Sequence, residues 1–248
     1  MIKFGCKKIF NNTHNVLLSL SILVGPSDAF AEFHGTVAVT SNYVWRGISK
    51  SDSKFSYQAN LDYEFDSGLY LGASAAKVDF ADQGFKERAQ FEIIPYIGWT
   101  ISFTEEWRLD VQYSRYFYDG KIFGLNSDYN EFYAFLHYSD LFSLRTSFSE
   151  NYYDRGHTSG DFEFTARYPI TDWLQVSSGI GYSLTEEAIE YDYLYWNAGM
   201  SIFYKNFLLD LRYADANEIP PHISDELHYE EYTPELSETL YFSISVGF

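Results

Sequence analysis

The segment that decides the fold is TLYFSISVGF, residues 239–248 at the end of the chain. Every second residue is apolar, and the residues between are polar or small; the apolar positions are Leu240, Phe242, Ile244, Val246 and Phe248. A period of two is typical of a β-strand with one apolar and one polar face. This segment therefore predicts a strand that ends on an aromatic residue.

The same period recurs through the chain and predicts about twelve strands, each close to the 9 to 11 tilted residues that cross a membrane. The clearest one covers residues 55–65, where Phe55, Tyr57 and Leu61 share a face opposite Gln58 and Asp62. The predicted strands are 35–46, 55–65, 69–77, 88–101, 107–118, 129–138, 141–152, 161–169, 173–184, 191–204, 207–215 and 238–248.

The connections between these strands alternate in length. Tight turns at 66–68, 104–106, 139–140, 171–172 and 205–206 alternate with longer segments such as 47–54, 81–87, 119–128, 154–160 and 217–237. Long outer loops alternating with short periplasmic turns are typical of an antiparallel transmembrane β-barrel of the outer membrane. The fold class predicted is thus all-β, and the alternative of a soluble β-sandwich or lipocalin-like barrel gives no reason for this sorting.

The two ends of the chain predict export to the outer membrane. Residues 1–31 resemble a secretory signal peptide, with Lys3, Lys7 and Lys8 before a short apolar run and a small-residue cleavage site at 29–31. The predicted domains are this signal peptide and a barrel over 32–248. A terminal aromatic on a strand resembles the signal that the barrel-assembly machinery recognises, so Phe248 is the predicted assembly signal.

Composition narrows the partners. The net charge is −18, and removing the signal peptide makes it more negative because three lysines leave with one aspartate. Such a chain does not attract nucleic acid. It is compatible with outer-membrane lipid and with lipopolysaccharide held by divalent cations. The single cysteine, Cys6, lies in the predicted signal peptide, so no disulfide and no cofactor are expected in the barrel.

Aromatic residues predict two membrane interfaces. One set falls near the outer strand ends: Tyr43, Trp45, Tyr116, Tyr118, Tyr152, Tyr153, Tyr191 and Tyr193. A second set lies beside the tight turns: Trp107, Trp173 and Phe207. Two residues fit the pattern poorly. Pro95 should be confined to a bulge or a strand end, and Arg115 on the lipid-facing side requires either snorkelling to headgroups or a bulge.

Residues 40–80 resemble a proteobacterial family of conserved hypothetical outer-membrane proteins, Gcw_chp, of the TorF porin type. The matching block runs from Ser41 to Ser49 and continues in LDY at 61–63 and GLYLG at 68–72. Its motif residues are Asn42, Tyr43, Trp45, Arg46 and Gly47. The resemblance implies a porin without assigning a solute. From the residues alone, we expect Arg46 and Gly47 to end the first strand at the outer rim, where Arg46 reaches lipopolysaccharide phosphate or pairs with an acidic loop.

The polar strand faces predict a narrow channel for small solutes or ions, because a charged interior is costly in lipid unless it holds water or a closed side-chain network. The predicted pore-lining residues are Asp62, Glu64, Glu92, Arg108, Asp110, Arg145, Arg167, Asp210 and Arg212, and Arg88, Glu131, Asp161 and Glu163 also point inward. We expect the constriction at Arg108, Arg145, Arg167 and Arg212 with their carboxylate partners. Carboxylates outnumber arginines, which predicts weak cation selectivity.

Two alternatives remain open. A non-conducting structural or adhesion barrel would show a closed arginine and carboxylate network, whereas a lipid-modifying enzyme would need a serine and a histidine together at the lipid-facing rim. No catalytic motif is present, and we expect His137 to be a hydrogen-bonded lumen residue. The long loop 217–237 carries His222, His228 and several carboxylates, but their spacing matches no metal motif, so no metal site is predicted.

Overall fold

The computed structural model describes residues 32–217 and 238–248. Twelve strands form a closed barrel in which each strand pairs antiparallel with its neighbours, and the first barrel strand pairs with both the second and the last. The barrel strands are β1 (Glu32–Thr40), β4 (Ser56–Glu64), β5 (Leu69–Lys77), β6 (Phe91–Ser102), β7 (Trp107–Tyr118), β8 (Tyr129–Tyr138), β9 (Phe142–Ser149), β10 (Ser159–Thr171), β11 (Leu174–Leu184), β12 (Tyr193–Tyr204), β13 (Phe207–Ala216) and β14 (Thr239–Gly247).

Four short elements are not part of the barrel wall. Strands β2 (Val44–Trp45) and β3 (Ile48–Ser49) form a separate two-stranded sheet, and a 3₁₀ turn (Tyr152–Asp154) and helix α1 (Glu186–Ile189) lie in two of the long loops. Within the described residues no helix has the length and apolar character needed to span a membrane. The predicted signal peptide and most of the acidic loop, including His222 and His228, fall outside the described residues.

The outer face of the barrel is apolar and the inner face is polar, as the period of two requires. In β6, Phe91, Ile93, Ile97 and Trp99 are about half exposed, while Glu92 is fully buried inside. A soluble barrel would have the opposite arrangement, because water favours a polar outer face. The exposed apolar belt is the face that lipid covers in a membrane barrel.

The connections confirm the predicted sorting of loops. Tight turns join β4 to β5, β6 to β7, β8 to β9, β10 to β11 and β12 to β13, and all of them lie at one end of the barrel, called here the turn end. The longer connections lie at the opposite end, called the loop end. The fold is therefore the predicted closed antiparallel barrel of twelve strands.

The sequence predictions of local detail were wrong at two places and right at a third. The first strand was predicted over 35–46 but β1 ends at Thr40, because the chain then turns into the lumen. Pro95 lies inside β6 without a bulge: the pairing with β7 skips Ile94 and Pro95 and resumes at Tyr96 in the same register. Arg115 does face outward near the loop end, over the Phe117 ring at 5.1 Å.

The barrel closes through the last residue. The backbone N–H of Phe248 donates to the Gly35 carbonyl at 2.9 Å, and the Gly35 N–H donates to the Phe248 carbonyl at 2.8 Å. The Phe248 ring covers Gly35 so closely that a Cβ there would overlap Cε2 and Cζ of the ring. The absence of a side chain at position 35 thus makes room for the aromatic residue that ends the chain.

Candidate functional site in the barrel lumen

The family motif forms a hairpin inside the barrel. Strands β2 and β3 are joined by Arg46 and Gly47, whose φ values of 51° and 77° are both left-handed. Two successive residues of positive φ are typical of a type I′ turn, which suits a tight hairpin. Residues 41–51 are called the plug here, since most of their side chains are buried within the loop-end half of the lumen.

The predicted position of Arg46 at the outer rim is therefore wrong. Only 5% of Arg46 is exposed, so it does not reach lipopolysaccharide phosphate or an acidic loop. Asn42 explains the inward course of the chain after β1, because its Oδ1 accepts hydrogen bonds from Ser49 Oγ at 2.6 Å and Ser51 Oγ at 3.2 Å. These bonds bring the two ends of the hairpin together.

Arg46 binds the plug to one wall of the lumen. Its Nη2 donates to Glu131 Oε1 and Ser147 Oγ, both at 2.7 Å, and its Nε lies 3.4 Å from Asp161 Oδ1. The side chains of Arg46, Glu131 and Asp161 are essentially inaccessible to solvent. Removing one partner of such a buried ion pair leaves an uncompensated charge, so the three side chains depend on one another.

Lys50 binds the plug to the wall formed by β6 and β7. Its Nζ forms a buried ion pair with Glu92 and lies over the rings of Tyr43 and Tyr116 at 5.5 and 5.3 Å. The same carboxylate accepts hydrogen bonds from Tyr43 Oη at 2.9 Å and Tyr118 Oη at 2.7 Å. Glu92, predicted as a pore-lining residue, is thus the centre of a closed network.

The tip of the plug contacts β12 and β13. A Cβ on Gly47 would lie 2.7 Å from Tyr195 Cβ and 3.0 Å from Ala216 Cβ, so only glycine fits against the wall here. Trp45 lies beside this tip, and the Arg145 guanidinium lies 4.8 Å from its ring centre. The plug therefore contacts several sides of the lumen.

A second set of contacts attaches the plug to the loop between β5 and β6. The Asp79 N–H donates to the Lys50 carbonyl at 2.9 Å. Lys54 Nζ donates to Asp52 at 2.6 Å and to Asp79 at 2.8 Å, and these hydrogen bonds raise the pKa of Lys54 above its ordinary value. The end of the plug that follows β3 is thus fixed to this loop.

The predicted outer band of aromatic residues is wrong. Tyr43, Tyr116 and Tyr193 are at most 3% exposed and point into the lumen, where they pack with Trp45 and Tyr152 around the plug. Tyr116 and Tyr118 occupy inward positions of β7. The alternation of side chains along the strand therefore decides the direction in which they point, although both lie near the strand end. At the turn end Trp107, Trp173 and Phe207 do face outward.

Below the plug, Arg145 connects three strands. Its Nη2 donates to Asp161 Oδ1 at 3.1 Å, Glu163 Oε2 at 3.0 Å and Tyr195 Oη at 3.0 Å. Arg145 also contacts the plug through the ring of Trp45. The other predicted constriction residues are Arg108, Arg167 and Arg212. Those residues lie closer to the turn end.

At the turn end the predicted residues lie on different sides of the lumen. Asp110 accepts a hydrogen bond from Tyr70 Oη at 2.6 Å, and Arg212 Nε lies 3.2 Å from Asp210 Oδ1. The predicted residues that face the turn-end lumen are Asp62, Glu64, Arg108, Asp110, Arg167, Asp210 and Arg212. Arg88 was predicted to point inward but lies in the loop between β5 and β6, 3.7 Å from Asp79 and Asp82.

The sequence prediction did not include Lys50, Ser147 or Tyr195 among the site residues, and it did not identify the plug. A signal was present: Arg46 and Lys50 are two cations in a segment where the polar and apolar alternation stops. Their partners lie far away in sequence, 85 residues on for Glu131. Such distant pairs are not visible in a local pattern.

His137 is a lumen residue, as predicted, and its Nδ1 lies 2.7 Å from Ser143 Oγ. The pair lies inside the turn-end lumen and not at the lipid-facing rim that a lipid-modifying enzyme requires. Among residues 32–217 and 238–248 no group of histidine, cysteine and carboxylate side chains is suited to hold a metal ion.

Comparison with known proteins gives a family and a fold. The family of bacterial proteins of unknown function called Gcw_chp matches residues 25–245. The KdgM porin and the KdgM porin in complex with disordered oligogalacturonate share the fold at 8% identity, with TM-scores of 0.53 and 0.54. Each of the two alignments covers 88% of this chain and 98% of the KdgM chain. An outer membrane channel from Pseudomonas putida F1 matches at 10% identity and a TM-score of 0.49, with 91% of this chain and all of that chain covered. No curated protein matches this chain.

Proposed function

The chain belongs to the Gcw_chp family, whose function is unknown, and we propose that it is an outer-membrane channel for small solutes whose loop-end half is closed by the plug. The observation that carries the proposal is the combination of a lipid-compatible outer face with a charged lumen. Charged groups inside a membrane barrel are costly and usually mark an ion or solute pathway. The KdgM porin, which shares the fold, supports this assignment over an enzyme.

The plug is held in a way that would allow it to move and open the lumen. Its two strands pair with each other and not with the barrel wall, so it is held by side chains and by a few bonds at its ends. Moving it would break the contacts of Arg46 and Lys50 and leave the wall pairing intact. Displacement or rearrangement of the plug is therefore the step that would open the lumen.

We also propose the membrane setting. The loop end faces outward and the turn end faces the periplasm, since outer-membrane barrels have long outer loops and short periplasmic turns. Lipopolysaccharide and other outer-membrane lipid cover the apolar belt, and the barrel-assembly machinery inserts the chain through its last strand. The exposed apolar belt and the aromatic residue that ends the chain support this proposal.

A second candidate function is a non-conducting structural or adhesion barrel. The closed network of Arg46, Lys50, Glu92, Glu131 and Asp161 favours it, because charges that neutralise one another leave fewer free groups to attract ions. The two candidates differ in one measurable property: a channel carries current when the plug is weakened, and a structural barrel does not.

The test is ionic conductance of the purified protein in planar lipid bilayers. We expect Arg46→Ala to open the lumen, because leaving the buried Glu131 without its ion-pair partner should cost about 3 to 5 kcal/mol, more than a hundredfold in the plug equilibrium. The expected result is a larger or more frequent open state than in the unmodified protein.

The matched control is Arg115→Ala, which removes an arginine of the outer face that makes no contact with the plug. It should leave the conductance unchanged. If neither the unmodified protein nor the Arg46→Ala variant conducts while both fold, the non-conducting role is favoured and the channel proposal fails.

A further inference from the structure

A row of basic and hydroxyl side chains crosses the inner wall at the turn end. Register places Arg108 opposite His137, His137 opposite Ser143, and Arg167 opposite Ser177. Arg212 lies in the same row as Ser177, two strands further around the barrel. The basic belt, as it is called here, consists of Arg108, His137, Ser143, Arg167, Ser177 and Arg212.

Hydrogen bonds through the two serines connect the belt. Ser143 Oγ accepts from Arg167 Nη1 at 2.7 Å and lies 2.7 Å from His137 Nδ1. Ser177 Oγ accepts from Arg212 Nη2 at 2.8 Å. These bonds hold the guanidinium groups against the wall and fix the direction in which they face the lumen.

Arg167 differs from the other arginines of the lumen in its partners. Arg46, Arg108, Arg145 and Arg212 each have a carboxylate oxygen within 4.0 Å. In the described part of the chain, no carboxylate lies within that distance of the Arg167 guanidinium, whose one hydrogen bond is to Ser143. A guanidinium has five N–H donors, so most of its donors remain available to a ligand.

The surrounding charges do not neutralise Arg167. Asp140 and Glu163 act on it electrostatically from a distance, as do the cations Arg108 and Arg212. Both carboxylates are already engaged, Asp140 with Arg108 at 3.2 Å and Glu163 with Arg145 at 3.0 Å. The position therefore favours an added negative charge.

We propose that Arg167 and the basic belt form a binding site for small carboxylate solutes at the turn end of the lumen. The planar guanidinium can donate two parallel hydrogen bonds to a carboxylate, which an ammonium group cannot do. Passage of such solutes through the lumen rests on the proposed channel function. Binding at Arg167 does not, because binding needs no transport.

The probe is acetate, and the measurement is saturation-transfer NMR on its methyl protons with the folded barrel in detergent micelles at low ionic strength. This method detects weak binding, which a transported solute requires. Acetamide, which has the same shape and no charge, is the ligand control. We expect saturable binding of acetate and little signal from acetamide.

Arg167→Gln should weaken acetate binding about tenfold, because charge-assisted hydrogen bonds are lost. Arg115→Gln, on the outer face, is the matched control and should bind acetate like the unmodified protein. Arg167→Lys keeps the charge for the case in which glutamine prevents folding, and it should bind acetate about threefold more weakly because the bidentate geometry is lost.

Unchanged acetate binding in Arg167→Gln, or in Arg167→Lys if the glutamine variant does not fold, would overturn the site. Equal signals from acetate and acetamide in the unmodified protein would also overturn it. Conductance without acetate binding contradicts this inference alone. If the barrel binds acetate but never conducts, the channel proposal is contradicted and the binding site is still supported.

Discussion

At the residue scale, Gly47 determines whether the plug fits the barrel. Its positive φ of 77° favours glycine, and its contact with Tyr195 and Ala216 excludes any side chain. Gly156 has a nearly identical φ of 78° with nothing within 4 Å. Comparing the two glycines therefore distinguishes the cost of a side chain at positive φ, which both share, from the cost of overlap with the wall, which only Gly47 has.

We predict that Gly47→Ala displaces the tip of the plug and increases single-channel conductance. Both Gly47→Ala and Gly156→Ala should cost about 1 kcal/mol of backbone strain, and Gly47→Ala should cost a further ~1 to 3 kcal/mol because its methyl group overlaps the wall. Gly156→Ala is thus the control and should conduct normally. Equal conductance of the two variants, with both folded, would show that contact with the wall does not hold the plug.

At the scale of elements, β1 and β14 form the seam that closes the barrel. Phe248 adds two backbone hydrogen bonds beyond the end of β14 and covers Gly35 with its ring. The residue is 68% exposed on the outer face, far from the plug network. Its contacts thus concern closure and assembly more than the lumen.

We predict that deleting Phe248 lowers the amount of folded, heat-modifiable barrel in the outer membrane, whereas the barrels that do fold conduct normally. The physical reason is the loss of the last hydrogen-bonded pair of the seam, together with the aromatic end of the strand. Phe242→Ala on the same outward face is the control and should reduce the folded amount less. An unchanged amount after the deletion would remove the role of Phe248 as an assembly signal.

At the scale of the whole molecule, the charged residues of the lumen are distributed differently from the distribution that the sequence predicts. Arg88 lies outside the lumen, while Arg46 and Lys50 of the plug lie inside it and neutralise buried carboxylates. Carboxylates still outnumber cations among the inward residues. Net charge governs ion selectivity over the whole lumen, and the basic belt governs recognition at one place.

We predict that an open pore prefers cations weakly and that the preference grows as salt is lowered. Salt screens charges over about 10 Å at 0.1 M, so the acidic surface acts further into solution when the salt is dilute. The measurement is the reversal potential in a potassium chloride gradient at two mean concentrations. Anion preference at low ionic strength would show that the basic belt outweighs the net charge.

The sequence alone determined the architecture, because alternation is a local property: outward Leu240, Phe242 and Ile244 against inward Ser243 and Ser245 can be read without knowing any partner. The alternating loop lengths likewise determined which strand ends lie together. The apolar residues Val44 and Trp45 also resemble a strand, which extended the first predicted strand into what is the plug. Only the tertiary structure decided where Arg46 and Lys50 lie, because their partners come from strands 42 to 115 residues further along the chain and meet only when the barrel closes. The buried charges of the plug need those distant carboxylates, and no local pattern specifies a partner across the lumen.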